Sequence, residues 1–331
     1  MAELNYNALT ALTKKKYIPQ LIDNFFKSNP FLAWLKERQE SYDGGYKIVE
    51  PLIYGNVDGI KSYKLYDTVT YDTAIPISAA EFEPKNIVAP IIISKDEELM
   101  NAGENQVLQM LQSKVKIVEE TLKATVTSQL YGDGTGNGGK DLTGLGAAIA
   151  DTGIYGGINR AEQAWWKAHV FSNNPASAGT AGALQTNNMV RTLLSISDGN
   201  DQPDLLLCGI ATWFEYYKAV KGQIQITTTL GKKMADYGFQ TLEFMGKPII
   251  ADPNCPEGKI FFLNSKYMKF RVHKQANFAV TPFRADDARI AKKQEILLTG
   301  NLTINNCRRF AVLQDIEYTA TGTMENIPSA D

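Results

Sequence analysis

The run Tyr131–Asp141, YGDGTGNGGKD, holds five glycines, Gly132, Gly134, Gly136, Gly138 and Gly139. Glycine loops of this density cradle phosphates when they precede a helix, because free backbone N–H groups and the positive end of the helix dipole hold the anion. Gly134–Gly139 fits G-x-G-x-x-G letter by letter. The residues before it carry a long helical pattern, however, so the loop meets the carbonyl end of a helix, where an anion is repelled. No G-x-x-x-x-G-K-[ST] follows, since Lys140 precedes Asp141. Asp133, Asn137 and Asp141 recur every four residues, whereas an EF-hand takes ligands two apart and closes on a glutamate. The glycines therefore read as a helix C-cap and a hinge.

Other chemistry is no better supported. The two histidines, His169 in WWKAHVF and His273 in FRVHK, have no ligand spacing to Cys208, Cys255 or Cys307, and no cysteine pair forms C-x-x-C. Both histidines read as packed or strand residues, and Cys208 as a small buried hydrophobe. Glu97/Glu98, Glu119/Glu120 and Asp286/Asp287 are chain neighbours, which point in different directions on a helix and need not share a proton. No G-x-S-x-G elbow, H-E-x-x-H or Rossmann turn after a strand occurs. No catalytic residue, metal site or cofactor is expected.

Composition narrows the class further. A hydrophobic share of 44% and a charged share of 21% are ordinary for a globular chain, and 331 residues suffice for two domains or one elaborated domain. A formal net charge of −2 argues against affinity built on neutralising nucleic-acid phosphates. Lys14–Lys16 form the clearest cationic cluster and read as a solvated helix face. No apolar run approaches ~18–20 residues, so no membrane span is expected. The first residues lack the pattern of a secretory signal, and cysteine usage fits a reducing compartment.

The elements around these residues have clear periods. Up to about residue 45, helical arm segments are expected, with Ile18, Leu21, Ile22, Phe25 and Phe26 before a break at Asn29-Pro30, then Phe31, Leu32, Trp34 and Leu35. Such an arm covers either its own domain or a neighbouring subunit. YKIVEPLIYGNV and AAEFEPKNIVAPIIIS read as the strands of a long hairpin, with Pro51, Pro84 and Pro90 favouring an edge. The polar connection between them carries Tyr63, Tyr66 and Tyr71, which makes sense if the tip lies on another molecule. Ser94–Glu97 is a capping box. Beyond Gly103, Val107, Leu111, Val115, Val118, Leu122 and Val126 form one stripe on a helix from Glu104 to Tyr131, on the order of 40 Å long. PDLLLCG then ATWFEYYKAVKG alternate strand and helix, implying an α/β unit over about 145–285. QEILLTGNLTINNCRRFAVLQDI reads as strands returning to the long helix, and the last residues as a frayed tail.

This order of elements resembles the plan of tailed-bacteriophage major capsid proteins, whose fold is shared with encapsulins. Similar stretches are SAAEFEPKNIVAPIIISKDEELMNAG, QLYGDGTGNGGKDLTGL, PDLLLCGIATWFEYYKA, YGFQTLEFMGKPIIADPNCPEGKIFFLNSKYMKFRVH and GNLTINNCRRFAVL, covering about Asn29 to Leu313. The resemblance implies an α+β capsid fold: an N-terminal arm (1–45), an extended β-hairpin loop (46–93), a peripheral domain with a spine helix (94–144 and 286–318), an α/β axial domain (145–285) and a C-terminal tail (319–331). It implies a non-enzymatic subunit that assembles with itself through pentamers and hexamers into an icosahedral shell enclosing double-stranded DNA, without sequence-specific binding or membrane. Intersubunit contacts would then fall on Phe25, Phe31, Trp34, Tyr63, Tyr66 and Tyr71. The short stretch before the hairpin implies a separate scaffolding protein, and a portal is a further expected partner. The location implied is the virion, after assembly in the host cytoplasm. Lys61 and Lys64 lie in the hairpin, but no asparagine or glutamate matches the cross-linking partners of some family members. An encapsulin enclosing protein cargo, or an α/β enzyme with an unrecognised site, remain the alternatives.

Overall fold

A computed structural model of the chain describes residues 21, 29–55, 62–67, 77–100, 104–221, 241–286 and 290–319. Phe25, Tyr71, Gly103 and the tail beyond residue 319 lie outside the described residues. The first described element is helix α1, Pro30–Lys36. The side chain of Asn29 accepts from the Phe31 N–H at 2.8 Å, and Pro30 takes the first helical position, where its missing N–H costs nothing. All six residues from Pro30 to Leu35 are buried, so the helix is apolar all round.

Strand β1 (Gln39–Tyr42) follows, then β2 (Ile48–Ile53) and β3 (Ile77–Phe82), which pair antiparallel as a two-stranded ribbon, Ile48 opposite Phe82 and Ile53 opposite Ile77. β4 (Lys85–Ser94) leads into helices α2 (Lys95–Met100) and α3 (Glu104–Tyr131). The capping box forms as the sequence predicts: the Ser94 N–H donates to Glu97 Oε2 (3.0 Å) and the Glu97 N–H to Ser94 Oγ (3.2 Å). Of the α3 stripe, Leu111, Val115, Leu122 and Val126 are buried, joined by Leu130.

Beyond α3 come the short strands β5 (Ile154–Tyr155) and β6 (Ile158–Asn159), then β7 (His169–Ser172), helix α4 (Thr186–Ile196), β8 (Leu205–Cys208) and helix α5 (Ile210–Val220). The remaining strands are β9 (Thr241–Phe244), β10 (Lys247–Ala251), β11 (Ile260–Leu263), β12 (Met268–Val280), β13 (Arg284–Ala285), β14 (Ala291–Ile304) and β15 (Ala311–Gln314). They make two principal sheets. In one, β14 lies between β4 on one side and β12 and β13 on the other, with β1 parallel to β12 at the edge. The other has the order β7-β15-β11-β8-β10-β9.

Period-2 alternation explains why the second sheet is apolar on both faces. Leu205 and Leu207 of β8 and Phe261 and Leu263 of β11 face a core shared with α1, α3 and the five-stranded sheet. Leu206, Cys208, Ile260 and Phe262 face a second core under α4 and α5. Phe31 and Trp34 belong to the first core: the Phe31 ring packs on Tyr131 at 5.4 Å, and Tyr131 in turn on Phe261 at 6.3 Å. These two side chains, expected at an intersubunit contact, are therefore corrected to internal packing. The sequence could not separate the two because an aromatic cluster is equally apolar on either assignment.

The segment boundaries also shift. β4 was expected in the hairpin, yet Ala89, Ile91 and Ile93 face the core, and the strand pairs with β14 over its whole length. β12, expected in the α/β unit, completes that same sheet, while β15 leaves it for the six-stranded one. Three substitution-level outcomes follow from this packing. Phe31→Ala should cost ~3–5 kcal/mol of unfolding free energy, read by denaturant titration of the protein. Gly144→Ala should also destabilise, since a Cβ there would meet the Gln129 and Leu130 carbonyl oxygens at 2.4 Å. Gly138→Ala, with open space around it but φ of +68°, should cost only ~1 kcal/mol from backbone strain.

Candidate assembly surfaces

The glycine loop is a pinned cap. The Gly132 N–H donates back to the Gln129 carbonyl, and the Gly146 N–H to the Gly132 carbonyl, so the chain after the loop lies flat across the open end of α3. Gly144 permits that close approach. Around it, Gln129 Nε2 donates to Asp141 Oδ1 (2.9 Å) and Lys85 Nζ to the Gly139 carbonyl (2.7 Å). Buried Asn301 accepts from the Thr143 N–H (3.0 Å) and donates to the Glu83 carbonyl (2.8 Å). The C-cap expected from the sequence is present; the hinge expected at Gly132, Gly134, Gly136, Gly138 and Gly139 is tied to β14 and to the β3–β4 turn.

The residues screened for chemistry are dispersed. All three cysteines are free and buried, and desolvation raises each thiol, Cys307 to about 12, so none is a ready thiolate. His169 is half-buried and stacked on Phe171, its pKa lowered by burial and then by Arg308. His273 lies on β12 against Tyr42, far along the chain from any cysteine. Among the described residues, no group of three His, Cys, Asp or Glu side chains is placed to hold a metal ion.

What the structure does concentrate is apolar surface on the β2–β3 ribbon. Its inner face, Ile48, Leu52, Ala80 and Phe82, is buried in the first core. Glu50 also points inward and is met there: Arg271 Nε donates to Glu50 Oε1 at 2.6 Å, Thr303 Oγ1 to the same oxygen at 3.2 Å, and a second Arg271 nitrogen pairs with Glu40 at 2.5 Å. The outer face carries Val49, Pro51 and Ile53 opposite Glu81, Ala79 and Ile77. All are exposed, Ile53 by 83% and Ile77 by 62%. Only Glu81 has a charged partner on that face, Lys47 at 2.5 Å. A ribbon facing water on one side should alternate apolar and polar; this one is mainly apolar on both, with Glu50 the one charge on its inner face and Glu81 the one on its outer face. Of the expected contact residues at the tip, Tyr63 and Tyr66 are exposed, together with Leu65.

Two further sites escaped the sequence reading. Asp252, fully buried at the end of β10, accepts from the Tyr131 hydroxyl, from Asn29 Nδ2 (2.8 Å) and from the Asn254 N–H (2.9 Å). It thereby joins arm, long helix and six-stranded sheet, and burial followed by Cys255 and Asp252 pushes the Tyr131 phenol well up. Arg160 is buried too, and its guanidinium donates to the carbonyls of Ala147, Ala148, Thr152 and Trp166. It so closes the end of the helical turn Leu145–Ala148. Neither has a local sequence signal, because each is defined by partners distant along the chain or by backbone atoms. A cavity of about 560 Å³ opens beside the ribbon between Tyr54, Trp165, His169, Asn305 and Arg308.

No protein-family model and no curated protein matches the sequence. Solved structures do match. The chain is similar to one in the cyanophage A-1(L) capsid asymmetric unit, at 19% identity and TM-score 0.66, covering 87% of this chain and 92% of that one. It is similar to the SrpI encapsulin complex of Synechococcus elongatus at 13% identity and TM-score 0.53, covering 87% and 89%. A chain of the satellite phage P4 procapsid, a structure that includes the size determination (Sid) protein, matches at 10% identity and TM-score 0.51 over 94% and 96%. With two sheets sharing one core, a long helix and a protruding ribbon, this chain has the α+β fold common to phage capsid proteins and encapsulins.

Proposed function

We propose that this chain is the major subunit of an icosahedral shell, assembled from its own pentamers and hexamers around a phage double-stranded DNA genome. One observation carries the reading. The β2–β3 ribbon buries one apolar face and exposes another, Val49, Pro51, Ile53, Ile77 and Ala79, that nothing in the described chain covers. In a shell that face lies on a neighbouring subunit. The likeness to a cyanophage capsid chain over most of both lengths supports the role. A near-neutral net charge lets many copies tile closely, and DNA confined by packaging needs no sequence-specific grip.

Under this reading the five-stranded sheet and α3 form the peripheral unit, and the six-stranded sheet with α4 and α5 the axial unit. The ribbon and arm reach neighbouring copies. A portal and a separate scaffolding protein are the further partners, assembly takes place in the host cytoplasm, and the product is the virion. The likeness to the SrpI encapsulin favours a second reading, the same shell around protein cargo. Nucleic acid or protein extracted from nuclease-treated particles separates the two.

Negative-stain microscopy of the expressed chain, with scaffolding protein supplied, should show closed particles of uniform size; a monodisperse monomer at every concentration would contradict the reading. The double variant Ile53→Lys, Ile77→Glu should leave the unfolding free energy of the subunit within ~1 kcal/mol, because both side chains are solvent-exposed and the new opposite charges face each other across the ribbon. The same variant should lose particle formation in sedimentation. Normal particles from it would show that the outer ribbon face is not an interface.

A further inference from the structure

The tip of the hairpin and the cavity beside its root have unmet requirements that match. Residues Lys64–Asp67 form a turn closed twice: the Asp67 N–H donates to the Lys64 carbonyl at 2.9 Å, and the Lys64 N–H to Asp67 Oδ2 at 2.7 Å. Its third residue, Tyr66, has φ of +77°, a conformation that favours glycine or asparagine there. Holding a tyrosine in it costs on the order of 1–3 kcal/mol. Tyr66 is nevertheless 97% exposed, so within the described subunit it gains no packing in return. Among the described residues the Asp67 carboxylate is met by the Lys64 N–H at Oδ2 alone, which leaves its other oxygen without a donor and its charge without an ion-pair partner there.

The cavity presents the complement. Tyr54 and Trp165, stacked at 5.1 Å, form an aromatic wall. Asn305 Oδ1 is buried with no donor, a state that costs ~1–3 kcal/mol until a donor arrives. Arg308 is exposed and has no ion-pair partner among the described residues, whereas its neighbour Arg309 is held by Asp198 at 2.5 Å. The volume of about 560 Å³ lies within the range of pockets that take a drug-sized group, and it admits a phenol ring.

We propose that Tyr66 of one copy enters this cavity on a second copy. The ring lies against the Tyr54–Trp165 wall, the hydroxyl donates to Asn305 Oδ1, and the Asp67 carboxylate pairs with Arg308. An aromatic anchor in a desolvated pocket flanked by one charge pair is the arrangement that concentrates binding energy at protein interfaces. The inference rests on the shell reading and deepens it, by naming the receiving site for the hairpin tip.

Charge exchange in the full-length chain is the test. Arg308→Glu and Asp67→Lys should each lower the yield of particles at fixed concentration by about tenfold or more, and their combination should recover most of the loss. Tyr66→Asn keeps the left-handed turn while removing the anchor. It should lower assembly equally and leave the unfolding midpoint of the unassembled subunit unchanged or raised. Wild-type particles alongside unaffected single variants, or a combined variant no better than either, would overturn this inference and leave the shell reading standing. A lowered subunit midpoint for Tyr66→Asn would give the residue a structural role and overturn it as well. A wild-type chain that never assembles would overturn both.

Discussion

A ribbon of two strands can bury one face on its own domain, and only a further partner can cover the other. That constraint organises the molecule. An isolated two-stranded ribbon is marginal in water, so β2–β3 must be fixed at its base before it can present anything. The base is fixed by Ile48, Leu52, Ala80 and Phe82 in the first core and by the inward Glu50 on Arg271 and Thr303. Removing Glu50's partner would leave a buried carboxylate unpaired, a penalty of several kcal/mol, which makes the ion pair a positional lock more than a source of net stability. Beyond that lock the chain spends apolar residues on the outer face, where a lone subunit has no use for them.

The rest of the fold gives the ribbon a stiff platform. β14 pairs with β4 along one edge and with β12 along the other, so segments from two distant parts of the chain close one sheet. The first core is shared between that sheet, α3, α1 and one face of the six-stranded sheet, and rigid-body independence of the two sheets is thereby lost. Buried Asp252 reinforces the junction by holding Asn29 and Tyr131 at once. The glycine loop serves the same end. Its residues let the backbone pass over the carbonyl end of α3, and its bonds to Asn301 and Lys85 hold it against the sheet.

Elements with a local signature were legible in the sequence. The stripe of α3, the Ser94–Glu97 box, the apolar run of β8 and the first strand of the hairpin are all set by neighbours a few residues away, and each formed where its pattern placed it. Sheet membership was not legible for β4, β12 and β15, because local periodicity sets which face of a strand is buried and not which strand it pairs with, whether that partner is near in the chain, as β14 is to β12, or distant, as β14 is to β4. Direction was the second loss. Phe31 and Trp34 read as surface anchors, yet α1 turns inward, since the Asn29 cap is itself bonded to Asp252. Glu50 sits on the buried face of β2 without any mark in the sequence, because its partner Arg271 lies in another strand.

The central claim is that the outer face of β2–β3 is reserved for another copy of the chain. Amide hydrogen exchange, compared between unassembled subunits and purified particles, reads this directly, because covered strands exchange more slowly. The account predicts that residues 49–53 and 77–81 gain protection on assembly while β8 and β11, already buried on both faces, change little. Equal exchange of the ribbon in the two states would contradict it.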